Sequence, residues 1–255
     1  MNEAEWNSCS DPRPILEFLR GKASGRKRRL FAVACCRHLW PLLTDPRVRD
    51  AVDTAELWAD GRASPEQLAS HRAAARRALE EARLRALREA DRAGLNWSTL
   101  KFHFDHQAGA LKAAVDASTL GVRFPERAAW GDMLAVIPAI ELEPLYPADG
   151  FHEGYLAGAR LVQAALLRDL FGNPFRVVSL NPVWLLRGRG RPWERGPVAE
   201  LAQTVYDQRA FEGLPVLADA LEEAGCHDAD ILNHCRGPGP HVRGCWVVDA
   251  ILGKS

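Results

Sequence analysis

The chain has 255 residues, 47% hydrophobic and 26% charged, a balance that excludes a disordered chain and suits one large domain or two small ones. Lys plus Arg and Asp plus Glu each total 33, so the net charge is zero, which argues against a dedicated nucleic-acid binder while allowing a local basic patch. The first thirty residues hold no apolar secretory core, and runs such as Leu30 to Cys36 fall short of the roughly 18 residues of a membrane span. Six cysteines in a chain this long do not make a disulfide framework; they read as reduced thiols of a cytoplasmic protein.

In chain order, Asp11-Pro12 and Pro14 open a short helix over Pro14 to Arg20, stopped near Gly21. Ser24 caps a second helix expected from Gly25 to Leu43, and Asp45-Pro46 starts a third, with Val48, Val52, Ala55 and Trp58 at helical steps. Ser64-Pro65-Glu66-Gln67 combines a cap, a first-turn proline and a glutamine three residues on, and predicts a long helix reaching Ala93. Trp97, Leu100, Phe104, Ala108, Leu111 and Val115 form the stripe of a fifth helix.

Beyond Gly121, glycine and proline punctuate more often. Helices are expected over Ala128 to Ile140 and Gly150 to Leu170, then a short strand at Arg176 to Val178 and a solvent loop at Arg187 to Arg191. Val198 to Arg209 and Leu214 to Ala224 read as helices, and a compact glycine-rich segment ends the chain at the apolar Trp246 to Leu252. The sum is a mainly α fold: one domain, a bundle of about eight to ten helices with an irregular Gly/Pro-rich C-terminal segment, in which Trp184, Trp193 and Trp246 help fill the core. Within it, residues 1–120 read as the helical bundle and 121–255 as a more irregular half.

The richest segment for chemistry runs from Cys226 to Cys245, with three of the six cysteines and three of the eight histidines. Zinc takes thiolate and imidazole donors, and the Gly237-Pro238-Gly239-Pro240 turn can fold Cys235 back toward His241 and Cys245, with Cys226 or His234 as a fourth ligand. No CxxC or H-x₃₋₅-H pair reinforces that reading. The competing account makes Cys226 a helix-end residue, Cys245 a core thiol beside Trp246, and His241 a partner of the turn.

Three further groupings have plain structural readings. Cys35-Cys36 point about 100° apart on a helix, one expected in the core and one at its edge. His103 and His106 are three apart, but His106 falls opposite the apolar stripe. Between Arg13 and Arg49 stand ten basic residues, including Arg26, Lys27, Arg28 and Arg29, which suit phosphates. Acidic stretches at Glu126–Glu153 and Glu212–Asp230 answer them, and pairing of the two signs is the preferred account. Phosphate-loop, dinucleotide-binding, GxSxG, HExxH and zinc-deaminase motifs are absent from the sequence.

The pieces Trp6 to Pro12, Leu16 to Ser24 and Arg29 to Arg37, with Phe171 to Arg176 and His234-Cys235-Arg236 through Gly244 to Asp249, resemble a large paralogous group of uncharacterised bacterial proteins. The resemblance covers both ends of the chain, carries no activity or ligand with it, and implies that the ends belong to one unit. The expectation is a non-catalytic intracellular module that binds another protein, without a cofactor. The alternatives are a zinc-stabilised nucleic-acid-binding protein and a metal- or thiol-dependent enzyme.

Overall fold

Most helix starts follow from a side chain that accepts an otherwise orphaned main-chain N–H. In the computed structural model, which describes residues 1–93, 151–176, 178–187 and 191–254, Asn2 and Glu5 form a reciprocal capping box on α1 (Glu3–Ser8). Asp11 caps α2 (Pro12–Leu19), Ser24 caps α3 (Gly25–His38) and Asp45 caps α4 (Pro46–Ala59). Ser64 and Gln67 exchange the same pair of bonds at the start of α5 (Pro65–Ala93). The remaining helices are α6 (Phe151–Phe171), α7 (Pro197–Gln208), α8 (Leu214–Glu223), α9 (Ala229–Arg236) and α10 (Trp246–Leu252). The protein is mainly α-helical, with ten α-helices among the described residues.

Contacts group the chain into two compact units, Met1–Cys9 with Ala165–Ser255, and Ser10–Ala164. The expected division at residue 120, the helices over Trp97–Val115 and Ala128–Ile140, and His103 and His106 lie outside the described residues.

In the second unit α3 packs on α4 and α4 on α5. Ile15, Leu16, Leu30, Phe31, Leu43, Val48, Val52 and Leu68 are buried there. Helix α3 stops at His38, short of the expected Leu43. Pro41 has no N–H and its ring excludes the α conformation from the residue before it, so the chain tightens into a 3₁₀ turn at Trp40–Leu42. Cys35 and Cys36 are both buried, where one was expected at the edge; α3 is covered around that part of its circumference. Arg37 pairs with Asp53 and with the buried Glu56, at 3.2 Å for the latter.

In the first unit α10 packs on α7, and α8 packs on both α7 and α9. Their apolar faces enclose Val198, Tyr206, Leu217, Leu221, Ile231 and Val248, with Trp184 and Trp246 packed against that core. The side chain of Trp193 lies outside the described residues. A two-stranded antiparallel ribbon pairs β1 (Leu186–Arg187) with β2 (Arg191–Arg195), and residues 188–190 of the expected Arg187–Arg191 loop lie outside the described residues. Arg176 and Val178 belong to no strand. Among the described residues no helix is long and apolar enough to cross a membrane.

Gly172 follows α6 at φ +64°, and a Cβ there would stand 3.1 Å from the Trp246 ring. Gly172→Ala therefore meets both a left-handed backbone and a wall, and should lower stability by about 1–3 kcal/mol in urea denaturation. An unchanged midpoint would contradict the described seat of Trp246.

Candidate metal centre

Asp169 sits in the last turn of α6, among the buried Leu166, Leu167 and Leu170, and is itself 4% exposed. A carboxylate there is opposed twice, by lost hydration and by the negative end of the helix dipole. It is retained because donors converge on it. His241 Nδ1 lies 2.7 Å from Oδ1 and His234 Nε2 lies 3.3 Å from the same oxygen, while the Val242 amide donates to Oδ2 at 3.0 Å. The amide bond fixes the carboxylate so that Oδ1 faces the histidines.

Each partner is delivered by local sequence. Asp228 caps α9 through the amides of Asp230 and Ile231, which sets the helix on which His234 and Cys235 point in different directions. Cys235 faces the apolar core, and His234 faces Asp169. Past α9, Gly239 adopts φ +84°, and a Cβ there would lie 2.8 Å from the His241 amide nitrogen, so the turn requires glycine. The turn returns His241 against its own beginning, with Nε2–H donating to the Gly237 carbonyl at 3.2 Å. That bond assigns the proton to Nε2 and aims Nδ1 at the centre. Cys245 ends the loop at the start of α10, with Sγ 3.1 Å from His234 Nε2.

One ligand atom from each of Asp169, His234, His241 and Cys245 thus falls within 4.8 Å of every other. Donors placed tetrahedrally around one zinc ion stand roughly 3.3–3.8 Å apart, given bonds of about 2.0–2.3 Å. The four residues therefore need only small side-chain adjustments to close on a cation. They do not form a nucleophilic triad. In a triad the histidine uses one ring nitrogen for the nucleophile and the other for the acid, whereas His234 meets both Cys245 and Asp169 through Nε2.

The surroundings favour a neutral Cys245 thiol and an ionised Asp169 carboxylate. Burial, reinforced by the charge of Asp169, pushes the Cys245 thiol well above 9.0, although the amides of Val247 and Val248 pull the other way. Burial likewise raises Cys35, Cys226 and Cys235, the last to about 12. Burial opposes ionisation of Asp169, but hydrogen bonds from His234 and His241 outweigh it and hold the carboxyl below 3.8. Burial also works against a charged His241, and the bond to Asp169 overcomes it, raising the imidazole above 6.5.

Of the residues the sequence nominated as ligands, His234, His241 and Cys245 meet here. Cys226 and Cys235 are core thiols in the same unit, outside the four-donor group. Asp169 was missed; the available signal was an acid within the apolar run Leu166-Leu167-Arg168-Asp169-Leu170. The basic run is built into the other unit. Arg26 pairs with Asp60 at 2.9 Å, Arg28 is buried, and Arg29 stacks over Trp58 while bonding the Gly25 carbonyl; Lys27 is half-buried. Comparison with protein-family models, curated proteins and solved structures gave no match.

The pH dependence of the metal-free pair has a definite sign. The lowered Asp169 contributes stability above 3.8 that is lost as pH falls through its folded value, and the raised His241 contributes below 6.5 what is lost as pH rises through its own. In urea denaturation of metal-stripped protein, the deficit of His241→Asn should be greatest between about pH 4 and 6.5 and shrink above that range. A deficit that grows toward pH 8 would contradict the pairing.

Proposed function

We propose that this chain is a zinc-stabilised, non-catalytic cytoplasmic module, in which one Zn²⁺ ties the C-terminal unit together and the folded protein acts by binding another protein. The observation that carries the reading is the convergence of four donors of three chemical kinds on one point. Asp169 Oδ1, His234 Nε2, His241 Nδ1 and Cys245 Sγ make a mixed O, N, N, S set. The thiolate disfavours magnesium and calcium, and imidazole with thiolate suits zinc. Bound zinc supplies the positive charge that favours the Cys245 thiolate and balances the buried Asp169 carboxylate.

A structural role follows from the donor count. Four protein ligands complete a tetrahedron and leave no position for a reacting water. The second contacts serve the same end: Val242 N–H on Asp169 Oδ2 and Gly237 C=O on His241 Nε2 orient two of the ligands. Thiols raised by burial at Cys35, Cys226, Cys235 and Cys245 are poor nucleophiles, which counts against the thiol-dependent enzyme. The nucleic-acid alternative draws on Arg26, Lys27, Arg28 and Arg29. Their burial and internal contacts within the fold leave the protein-binding reading in front.

Elemental mass spectrometry on protein purified without a chelating tag should find about one zinc per chain. Asp169→Asn and Cys245→Ser should each lose it, while Cys226→Ala and Cys235→Ala keep it. Chelation should lower the Tm of the wild type by roughly 5 °C or more and leave that of Cys245→Ser unmoved. Protein free of metal, or zinc that departs with Cys235 and stays with Asp169→Asn, would refute the assignment.

A further inference from the structure

The C-terminal unit also carries a cavity of about 320 Å³, which touches the metal centre only through His234. The partly exposed indole of Trp246 supplies its aromatic surface, Trp6 being only 1% exposed, and Arg168, Arg176 and Asp230 supply its charges. Those charges are not equivalent. Arg176 is neutralised: Nη1 donates to both oxygens of Asp230 at 3.0 Å, and Nε donates to Glu3. Arg168 instead binds neutral acceptors, Nε donating to the Trp6 carbonyl at 2.8 Å and Nη2 to that of Cys9. Its sequence neighbour Asp169 is turned to His234 and His241. The cavity thus holds a half-buried guanidinium whose own hydrogen bonds bring it no carboxylate, beside the indole of Trp246.

We propose that this cavity is a binding site for a small planar organic acid, whose carboxylate meets Arg168 and whose ring packs against Trp246. The guanidinium matches a carboxylate in shape and charge, and its two main-chain bonds already hold it in place. The volume lies at the small end of ligand pockets and admits a single ring with one acidic group. The paired Arg176 and Asp230 leave no second surplus cation at the site, so a monoanion is favoured over a phosphate ester. The inference goes beyond the zinc reading and takes none of its charge from the metal.

Isothermal titration of the full chain, as purified, with benzoate should give saturable binding of one benzoate per chain. Benzamide, the uncharged counterpart, and inorganic phosphate should each bind at least about ten-fold more weakly, the loss expected when the guanidinium has no carboxylate to meet. Arg168→Gln should weaken benzoate by a similar factor. Because Arg168 also holds the Trp6 and Cys9 carbonyls, a second variant is needed. Asn7 lines the cavity from an exposed position, and Asn7→Asp should weaken benzoate roughly three-fold at low salt, less at high salt, with Tm unchanged. Absence of saturable benzoate binding, equal affinity for benzamide, tighter binding of phosphate, or indifference to Asn7→Asp would overturn the proposal. Benzoate binding by protein that proves free of zinc would sustain this site while removing the metal reading.

Discussion

A carboxylate buried in the last turn of a helix has no solvent to stabilise it and an adverse helix dipole beside it. Asp169 is in that position, and much of the C-terminal unit can be understood as the arrangement that makes it tolerable. Helix α9 presents His234, the glycine-proline turn returns His241, the Val242 amide anchors the second oxygen, and Cys245 closes the group where α10 begins. Remove any one of these and a buried charge is left short of a partner, which costs more than the pair contributed when intact. The proposed cation would answer the charge directly, and would account for a thiol within reach of two imidazoles and a carboxylate.

The same position links separate parts of the unit. Arg168, one residue before Asp169, holds the carbonyls of Trp6 and Cys9, while Gly172, three residues after it, leaves room for the Trp246 ring. The last turn of α6 therefore meets the first residues of the chain and a candidate ligand cavity through Arg168, and the donor cluster through Asp169. Arg168 and Asp169 face different neighbours because successive helical residues rotate by about 100°.

Much of the helical framework was legible because caps and prolines are local signals. Asp11, Ser24, Asp45 and Ser64 mark starts that need no tertiary information, and α5 runs from Pro65 to Ala93 as the uninterrupted Ala/Arg/Leu/Glu stretch implies. Helix α1 was overlooked although Asn2 and Glu5 have capping-box spacing, and α9 although Asp228 caps it. The donor cluster was only partly legible. His234, His241 and Cys245 stand out by their density around a tight turn, but Asp169 comes from 65 or more residues earlier in the chain. Its place among Leu166, Leu167 and Leu170 was the one local hint that this acid faces inward. Cys235 was nominated because the Gly237–Pro240 turn can fold it toward His241 and Cys245, but on α9 its side chain points into the core while that of His234 meets the cluster.

The central claim is that these four donors, one of them sulfur, bind a single zinc ion. Zinc-edge X-ray absorption on the purified protein tests it most directly, since the ligand shell resolves by element and distance. The account predicts one sulfur at about 2.3 Å and three nitrogen or oxygen ligands at about 2.0–2.1 Å. Two or more sulfurs would bring Cys226 or Cys235 into the shell, and a shell of nitrogen and oxygen alone would exclude Cys245; either result would contradict it.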